Sequence, residues 1–261
     1  MTALTVLAVG ATGSIGRLVV AEALAEGHTV RALVRSSSRT RELPGGAEVV
    51  VGDLTRRDTL ADAVAGVDAV VFTHGSGGGG STVEAVDYGG VREVLAALGS
   101  QPARIALMTA IGVTYREGSY NRSTGAHDWK RRSERLVRVS GRLYTVVRPG
   151  WFDDNAADEL RLVGLQGDTR RAGNSTDGVV SRRQIAEVLV RSLTTPEADR
   201  RTFELVAEQG PATTDFAAFF GALAPDGDAG LDGVRDAANL PIDAEPQQVR
   251  QDLAAVTRPH H

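Results

Sequence analysis

Short runs of apolar, often β-branched residues alternate with longer amphipathic segments through the first 150 residues of the chain. The short runs are apolar on both faces, which is typical of parallel strands with helices packed on each side. We therefore predict strands at residues 4–9, 29–34, 48–51, 69–72, 105–108 and 144–147. Helices are predicted between them, at residues 15–26, 57–65, 83–98 and 129–139. This alternation predicts an α/β protein with right-handed crossovers and a doubly wound parallel sheet.

The pattern is less regular beyond residue 151. It predicts a helix at residues 182–193, a strand at 202–206, a helix at 214–223 and an acidic tail interrupted by Gly and Pro. Neither an internal repeat nor a linker separates this part from the rest. We therefore predict a single domain over residues 1–261, in which a small region at 151–261 completes and caps the substrate side of a 1–150 core.

A glycine-rich turn follows the first predicted strand and leads directly into the first predicted helix. Its G-x-x-G-x-x-G spacing puts Gly10 at the tight turn, Gly13 where a backbone approaches a pyrophosphate, and Gly16 where helix and strand pack closely. The helix N-terminus offers N–H groups and a positive dipole end to phosphates. Such glycines often serve the turn alone, but this strand-to-helix context is the one that dinucleotide binding requires. The predicted dinucleotide contacts in this turn are Gly10, Thr12, Gly13, Ser14, Ile15 and Gly16.

The end of the second predicted strand distinguishes between the two nicotinamide cofactors. NAD sites carry an Asp or Glu there, about 20 residues beyond the glycines, to hold the ribose 2′-hydroxyl. This chain has no acidic residue at positions 27–41 and carries Arg35 in that place. A guanidinium can pair with a 2′-phosphate, and Thr12, Ser36 and Arg39 offer further donors. NADP(H) is therefore the predicted cofactor, against the alternative that this segment is a solvated loop.

Two further strand ends carry candidate cofactor contacts. Asp53 and Leu54 follow the third strand, where a carboxylate can accept from the adenine amino group, although Asp53 could equally cap the next helical segment. Thr73, His74 and Gly75 follow the fourth strand and lead into a glycine-rich stretch, which we predict to be a mobile loop at the site. Of these residues, His74 is predicted to be a loop residue rather than a catalyst.

Composition limits the partners. Twenty-nine basic and 33 acidic residues give a net charge of −4, which argues against nucleic acid or an anionic membrane as a partner. The absence of cysteine excludes disulfides, thiolate catalysis, iron–sulfur clusters and cysteine-ligated zinc. No apolar run approaches the roughly 20 residues that span a bilayer, and the first residues lack the basic region of a signal peptide. We expect a cytoplasmic protein with a small-molecule substrate and no metal; a homodimer remains open.

Lysine is almost absent from this chain. Of the 29 basic residues 28 are arginine, and the single lysine is Lys130. Arginine and lysine are nearly interchangeable on solvated surfaces but not at reactive sites. The lysine is therefore retained either by chance or because arginine would fail there. Its neighbours Arg131, Arg132 and Arg135 are expected to form the solvated face of their helix.

Together these motifs resemble the atypical short-chain dehydrogenase/reductases, in particular their NmrA-like and flavin- or quinone-reductase-like branch. The resemblance covers most of the chain and implies a Rossmann fold. It rests on residues 10–16, Arg35, Gly52-Asp53, Met108-Thr109-Ala110, Asp128-Trp129-Lys130 and Val147-Arg148-Pro149-Gly150-Trp151.

The broader family uses a Ser, Tyr and Lys set, with the tyrosine four residues before the lysine on one helix face. The resemblance matches the lysine to Lys130, which would hold the nicotinamide ribose, and the serine to Thr109, which would lie near the substrate oxygen. These are the candidate catalytic residues. The tyrosine position is Ala126, so the family's proton donor is missing. The residues close enough in sequence to replace it are Tyr115, Tyr120, His127 and Asp128.

The turn after the sixth strand is the last part of the resemblance. It implies that Pro149, Gly150 and Trp151 line the nicotinamide and begin the substrate region. Pro149 fixes the backbone there and Gly150 permits a close approach. Trp151 and Phe152 are predicted either to stack on a flat substrate or to belong to the core, and the sequence leaves both open.

These expectations favour an NADPH-dependent oxidoreductase that transfers hydride to a small conjugated or quinone-like acceptor. Reduction of a simple ketone requires a proton, and a positioned acid contributes a factor of about 10²–10⁴. Quinones, flavins and enones form stabilised anions that water can protonate, so a site without the tyrosine suits them better. Two alternatives remain. One is a non-catalytic NADP(H)-binding redox sensor of the NmrA type, and the other is a natural-product ketoreductase with a substitute proton donor.

Overall fold

A computed structural model describes residues 2–76, 81–228 and 230–257 of the 261-residue chain, without the side chains of residues 37–39. Most of the glycine-rich segment that we predict to be a mobile loop, at residues 77–80, therefore lies outside the described residues. The strands are β1 (Thr5–Val9), β2 (Thr29–Val34), β3 (Glu48–Val51), β4 (Ala69–Phe72), β5 (Arg104–Met108), β6 (Tyr144–Pro149), β7 (Trp151–Phe152), β8 (Arg161–Leu165), β9 (Val179–Val180) and β10 (Arg201–Glu208).

These strands form one sheet in the order β3-β2-β1-β4-β5-β6-β10-β9-β7, and β8 also pairs with β10. Every neighbouring pair from β3 to β10 is parallel, whereas β8 and β9 run antiparallel to β10. The chain runs outward from β1 to β3 and then continues from β4 on the other side of β1. The strand order therefore reverses between β1 and β4, and ligands of such sheets bind outside the carboxyl ends of the strands at this point.

Helices cover both faces of the sheet. They are α1 (Gly16–Ala25), α2 (Ala61–Val64), α3 (Ser81–Val83), α4 (Gly89–Leu98), α5 (Ser119–Thr124), α6 (Ala126–Val139), α7 (Arg182–Arg191), α8 (Phe216–Gly221) and α9 (Gln247–Thr257). A π-helical turn, Glu84–Tyr88, joins α3 to α4. Among the helices of the described residues, none is long and apolar enough to cross a membrane.

The two-sided core explains why the strands are apolar on both faces. Val6 and Ala8 of β1 belong to the apolar cluster under α1, α7 and α8. Leu7 and Val9 alternate with them and belong to the cluster under α2, α4, α6 and α9. The predicted doubly wound parallel sheet is confirmed.

Several elements differ from the sequence prediction. The predicted helix at 57–65 is a 3₁₀ turn, Arg57–Thr59, followed by the single turn of α2. The predicted helix at 83–98 is interrupted by the π-helical turn. The sequence analysis did not predict β7, β8, β9, α5 or α9. Strands of two residues such as β7 and β9 have no detectable period, because the side-chain alternation of a strand needs several residues to be recognised.

The predicted solvated face of α6 is wrong. Arg131, Arg132 and Arg135 are buried, because the acidic C-terminal segment packs over them. Arg131 and Arg135 both pair with Asp232, and Arg132 and Arg135 both pair with Glu245. A buried arginine requires such partners, since an unpaired buried charge is costly. The acidic tail thus neutralises an arginine-rich helix face that the sequence pattern alone assigns to solvent.

Candidate functional site

A cleft of about 630 Å³ lies at the carboxyl ends of β1, β2, β3 and β4, where the strand order reverses. The structure brings eleven of the predicted cofactor contacts together in its lining: Gly10, Thr12, Gly13, Ser14, Ile15, Arg35, Asp53, Leu54, Thr73, His74 and Gly75. The remaining described residues of the lining include Ser76, Val86, Met108 and Phe152. The described lining does not include the other predicted site residues, which are Gly16, Thr109, Lys130, Pro149, Gly150 and Trp151.

A larger open groove, of about 1130 Å³, lies against α4, α9 and the turn between α6 and β6. The described residues that line it include none of the predicted site residues. It lacks the glycine turn and lies away from the carboxyl ends of β1 to β4. The smaller cleft is therefore the candidate site.

The glycine turn is sterically restricted at both ends. Gly10 has a φ of +85°, and a Cβ there would lie 2.7 Å from the backbone nitrogen of His74. A Cβ on Gly16 would lie 2.0 Å from the carbonyl oxygen of Gly10. Between them, the N–H of Gly13 donates to the same Gly10 carbonyl at 2.9 Å. The turn is therefore compact, and within the first turn of α1 the N–H groups of Arg17 and Val19 donate to the carbonyls of Gly13 and Ile15.

The far end of the cleft combines an arginine with a constrained carboxylate. Arg35 is exposed at the end of β2. Asp53, after β3, accepts from the backbone N–H of Thr55 at 2.9 Å and from its hydroxyl at 2.8 Å. These bonds, with a smaller contribution from Arg35, hold the pKa of Asp53 below its usual range. Asp53 thus stabilises the turn that follows β3 while it lines the cleft.

The single lysine is held beside the cleft by a buried carboxylate. Lys130 Nζ lies 2.5 Å from Asp87 Oδ1, and the Asp87 side chain is only 3% exposed. The other oxygen, Asp87 Oδ2, accepts from the N–H of Ser76 at 2.9 Å and from its hydroxyl at 2.7 Å. A Cβ on Gly75 would lie 3.7 Å from Lys130 Nζ, so the amine packs against a residue of the cleft lining.

Burial would raise the pKa of Asp87, but the charge of Lys130 and the bonds from Lys130 and Ser76 outweigh it and lower this pKa.

Sequence reasoning missed Asp87. Val83, Asp87 and Val91 are four residues apart and all buried, so a carboxylate on the apolar face of a predicted helix was the available signal. Asp87 lies in the π-helical turn, a local irregularity that is frequent at functional sites.

His74 is neutral at the cleft wall. Its Nε2 lies 3.0 Å from the carbonyl oxygen of Val86, which assigns the proton to Nε2. Burial, and secondly the charge of Lys130, lower the pKa of His74 to about 4. Its Nδ1 is buried and, within the described residues, has no hydrogen-bond partner. The ring is therefore a buried, neutral imidazole in the wall of the cleft.

Ala126, which the sequence analysis matches to the family's tyrosine, is buried at the start of α6, one turn before Lys130. Gly125 precedes it with a φ of +68°, which lets the chain turn sharply between α5 and α6. The alanine methyl carries no proton that could be donated. The structure therefore leaves the position without an acid.

The possible substitutes for the tyrosine have other partners. Asp128 is paired with Arg116 at 3.0 Å. His127 packs edge-on against Tyr120 with ring centroids 5.1 Å apart, and burial lowers its pKa. The described lining of the cleft includes neither these residues nor Tyr115. We assign none of them to proton donation.

Thr109 belongs to a buried ion-pair network. Its hydroxyl donates to Glu134 at 2.7 Å. Glu134 in turn pairs with Arg148 at 2.7 Å and with Arg138 at 3.2 Å. Burial opposes the ionisation of Glu134, but the two arginines lower its pKa to about 2. The structure thus directs the Thr109 hydroxyl to Glu134, while its neighbour Met108 lines the cleft.

The close approach that Gly150 permits in the turn after β6 is to the backbone of Gly178. A Cβ on Gly150 would lie 2.4 Å from the carbonyl oxygen of Gly178, next to β9. Trp151 and Phe152 are 43% and 36% exposed, so the alternative that they belong to the core is wrong. Phe152 lines the cleft and Trp151 is beside it in β7. Phe152 therefore presents a partly exposed ring to the cleft, whereas Trp151, the preceding residue of the strand, points to the other face.

A family model described as NAD(P)H-binding matches residues 10–196. This match includes the glycine turn, Arg35, Asp87, Lys130 and the turn after β6. The chain therefore belongs to this NAD(P)H-binding family, as its resemblance to the atypical short-chain dehydrogenase/reductases predicted.

Relatives of the chain include named reductases. The sanguinarine reductase of Eschscholzia californica is 27% identical over 261 residues, which cover 83% of this chain and 95% of that protein. The NAD(P)H azoreductase of Xenophilus azovorans is 27% identical, with 84% of this chain and 73% of that protein covered. A solved short-chain dehydrogenase/reductase superfamily protein from Agrobacterium tumefaciens, with bound NAD, has 22% identity and a TM-score of 0.56 over 83% of this chain and 81% of that one. This last likeness shows the fold alone.

The residues present fit a nicotinamide dinucleotide. Gly10 and Gly16 leave no space for a side chain, and the turn presents backbone N–H groups to a diphosphate. Arg35 at the far end of the cleft offers a guanidinium. The cleft therefore has the donors, the charge and the close backbone approach that the cofactor requires.

Proposed function

We propose that this chain is an NADPH-dependent reductase that transfers hydride to a small, conjugated acceptor such as a quinone-like or aromatic compound. The observation that carries the proposal is the position of Lys130, which is held by Asp87 against the dinucleotide cleft while Ala126 occupies the tyrosine position. NADPH, when bound, supplies the hydride. The residues of the chain bind and orient it.

Arg35 supports NADPH over NADH. It is exposed at the end of β2 and lines the cleft. A guanidinium there can form charge-assisted, bidentate bonds with a 2′-phosphate. Gly10, Thr12, Gly13, Ser14 and Ile15 would then hold the diphosphate. Lys130 would bind the nicotinamide ribose, because its amine packs against Gly75 of the lining.

The nature of the acceptor follows from the missing acid. A ketone requires a positioned proton donor, whereas a conjugated acceptor yields a stabilised anion that water protonates. The exposed ring of Phe152 in the cleft lining suits a flat molecule. Two relatives are named for the reduction of sanguinarine and for azoreductase activity, which supports an acceptor of this kind. We include residues 151–261 in one domain with the core, since β10 pairs with β6.

The test is NADPH oxidation by the full chain with quinone, flavin, enone, azo and ketone acceptors. We expect turnover with one or more conjugated acceptors, slower turnover with ketones, and a loss in Lys130→Met that exceeds the loss in the exposed control Arg122→Met. If no acceptor is reduced while NADP⁺ still binds, the reductase proposal fails. In that outcome the second candidate stands, a non-catalytic NADP(H)-binding redox sensor, which Ala126 also favours.

A further inference from the structure

Arg182 reaches from the start of α7 to the glycine turn. Its Nε donates to the hydroxyl of Ser14 at 3.1 Å, although the two residues are 168 positions apart in the chain. Its guanidinium carbon lies 5.1 Å from the centre of the Phe152 ring. Ser14 and Phe152 both line the cleft. The guanidinium is therefore at the mouth of the cleft, beside the turn that approaches the diphosphate.

Asp153 holds this guanidinium from the other side. One carboxylate oxygen accepts from the backbone N–H of Arg182 at 2.9 Å, and the other forms an ion pair with Arg182 Nη1. These bonds hold the pKa of Asp153 below its usual range. Asp153 has a φ of +60°, uncommon for a residue other than glycine, and its N–H donates to the carbonyl of Val180 at 3.1 Å. The carboxylate is thus fixed by the backbone around it.

We propose that Arg182 is a diphosphate-binding residue of the cofactor cleft and that Asp153 competes with the diphosphate for it. Carboxylate and phosphate oxygens both accept the paired N–H groups of a guanidinium. Arg182 bridges the two, with Asp153 on one side and the diphosphate side of the glycine turn, at Ser14, on the other. The capping box of Ser181 and Gln184 fixes the start of α7, so the arginine is presented from a rigid element. This inference rests on dinucleotide binding in the cleft, as the proposed function does, but not on turnover.

The sign of two substitutions distinguishes this role from a structural one. If Arg182 and Asp153 only tie β7 and α7 to the glycine turn, breaking the pair from either side will weaken nucleotide binding. If they compete, Arg182→Gln will weaken binding and Asp153→Asn will strengthen it. Asparagine tolerates the left-handed backbone conformation and keeps an acceptor for the Arg182 N–H.

The experiment is calorimetric titration of the full chain with NADP⁺, with ADP-ribose, which has the diphosphate but no 2′-phosphate, and with 2′-AMP, which has the 2′-phosphate but no diphosphate. For Arg182→Gln we expect the Kd of NADP⁺ and of ADP-ribose to rise about tenfold, because one charge-assisted bond is lost. The Kd of 2′-AMP should remain unchanged. For Asp153→Asn we expect a lower Kd for the two diphosphates. The control is Arg183→Gln, which removes the same charge from the adjacent exposed residue.

Equal Kd values for Arg182→Gln and Arg183→Gln would overturn the proposal, and so would a rise in Kd in both Arg182→Gln and Asp153→Asn. Arg182→Lys, which keeps the charge without the planar fork, provides a milder variant if Arg182→Gln does not fold. Failure of the unmodified chain to bind any of these nucleotides would overturn both this inference and the proposed function. If the variants change Kd as expected but the unmodified chain reduces no acceptor, the proposed function fails and the inference about Arg182 stands.

Discussion

Lys130 and Asp87 form a short ion pair, 2.5 Å from Nζ to Oδ1, between α6 and the π-helical turn that joins α3 to α4. The carboxylate is almost fully buried, and Ser76 occupies its second oxygen. The ion pair therefore restricts the conformation of the Lys130 side chain, whose amine lies next to Gly75 in the cleft wall. A side chain that would otherwise sample many rotamers is thus fixed beside the cleft.

Removing the Asp87 carboxylate should disorder Lys130 without removing it. We expect Asp87→Asn to lower kcat for a conjugated acceptor about 10–100-fold, because small displacements of a positioning group are costly. The double variant with Lys130→Met should be no slower than Lys130→Met alone. The matched control is Glu84→Gln, an exposed acid in the same π-helical turn. Independent, multiplying losses in steady-state kinetics would show that Asp87 does not act through Lys130.

Arg35 should determine the choice of cofactor. We expect Arg35→Ala to raise the Kd of NADPH about tenfold or more, since a charge-assisted pair with the 2′-phosphate is lost. The Kd of NADH should change little, so the preference between the two cofactors should fall. Fluorescence titration of both cofactors measures this, with the exposed Arg161→Ala as the control. An equal loss for NADH and NADPH would mean that Arg35 does not contact the 2′-phosphate.

The buried His74 should make stability depend on pH. Its pKa falls from 6.5 to about 4 on folding, so the unfolded state takes up a proton in this window and the folded state does not. Stability attributable to His74 is therefore lost as the pH falls from 6.5 towards 4. Between pH 7 and pH 5 the loss is on the order of 2 kcal/mol. Urea unfolding at both pH values should give a smaller difference for His74→Gln than for the unmodified chain; identical differences would refute the assignment.

The buried arginines of α6 should stabilise the C-terminal segment. Arg135 is held by Asp232, by Glu245 and by the carbonyl of Leu240 at 2.6 Å. Removing one member of a buried ion pair costs about 3–5 kcal/mol. We therefore expect Arg135→Met to lower the free energy of unfolding by about 3 kcal/mol. Glu245→Gln should lower it less in the Arg135→Met variant than in the unmodified chain. Denaturant unfolding measures both, and Arg122→Met is the exposed control.

The fold was largely predictable because parallel strands covered on both faces leave a strong apolar signal. The glycine turn was predictable for a similar reason, since its conformations and close contacts admit few residues. Asp87 was not, because a π-helical turn has no sequence period and the lysine that it binds is 43 residues away. The burial of α6 was also hidden, since the acids that neutralise Arg131 and Arg135 lie about a hundred residues further along the chain.

The hydrogen bond of Thr109 could not be predicted from the sequence either. The resemblance places its hydroxyl near the substrate oxygen, whereas the structure directs it to Glu134. That contact depends on Arg138 and Arg148, which bring Glu134 into the interior. A motif identifies the types of residue at a site, but it does not show which buried groups those residues contact. Here the buried contact of the Thr109 hydroxyl is Glu134.

We propose that this cleft passes hydride from NADPH to a conjugated acceptor and that Lys130 positions the nicotinamide for this transfer. The most direct measurement uses NADPH deuterated at the transferred position of nicotinamide C4 and follows the label by mass spectrometry into a reduced enone. We expect deuterium in the product with the unmodified chain and a large reduction in the rate at which it appears with Lys130→Met. Binding of NADPH without transfer of deuterium to any conjugated acceptor would contradict it.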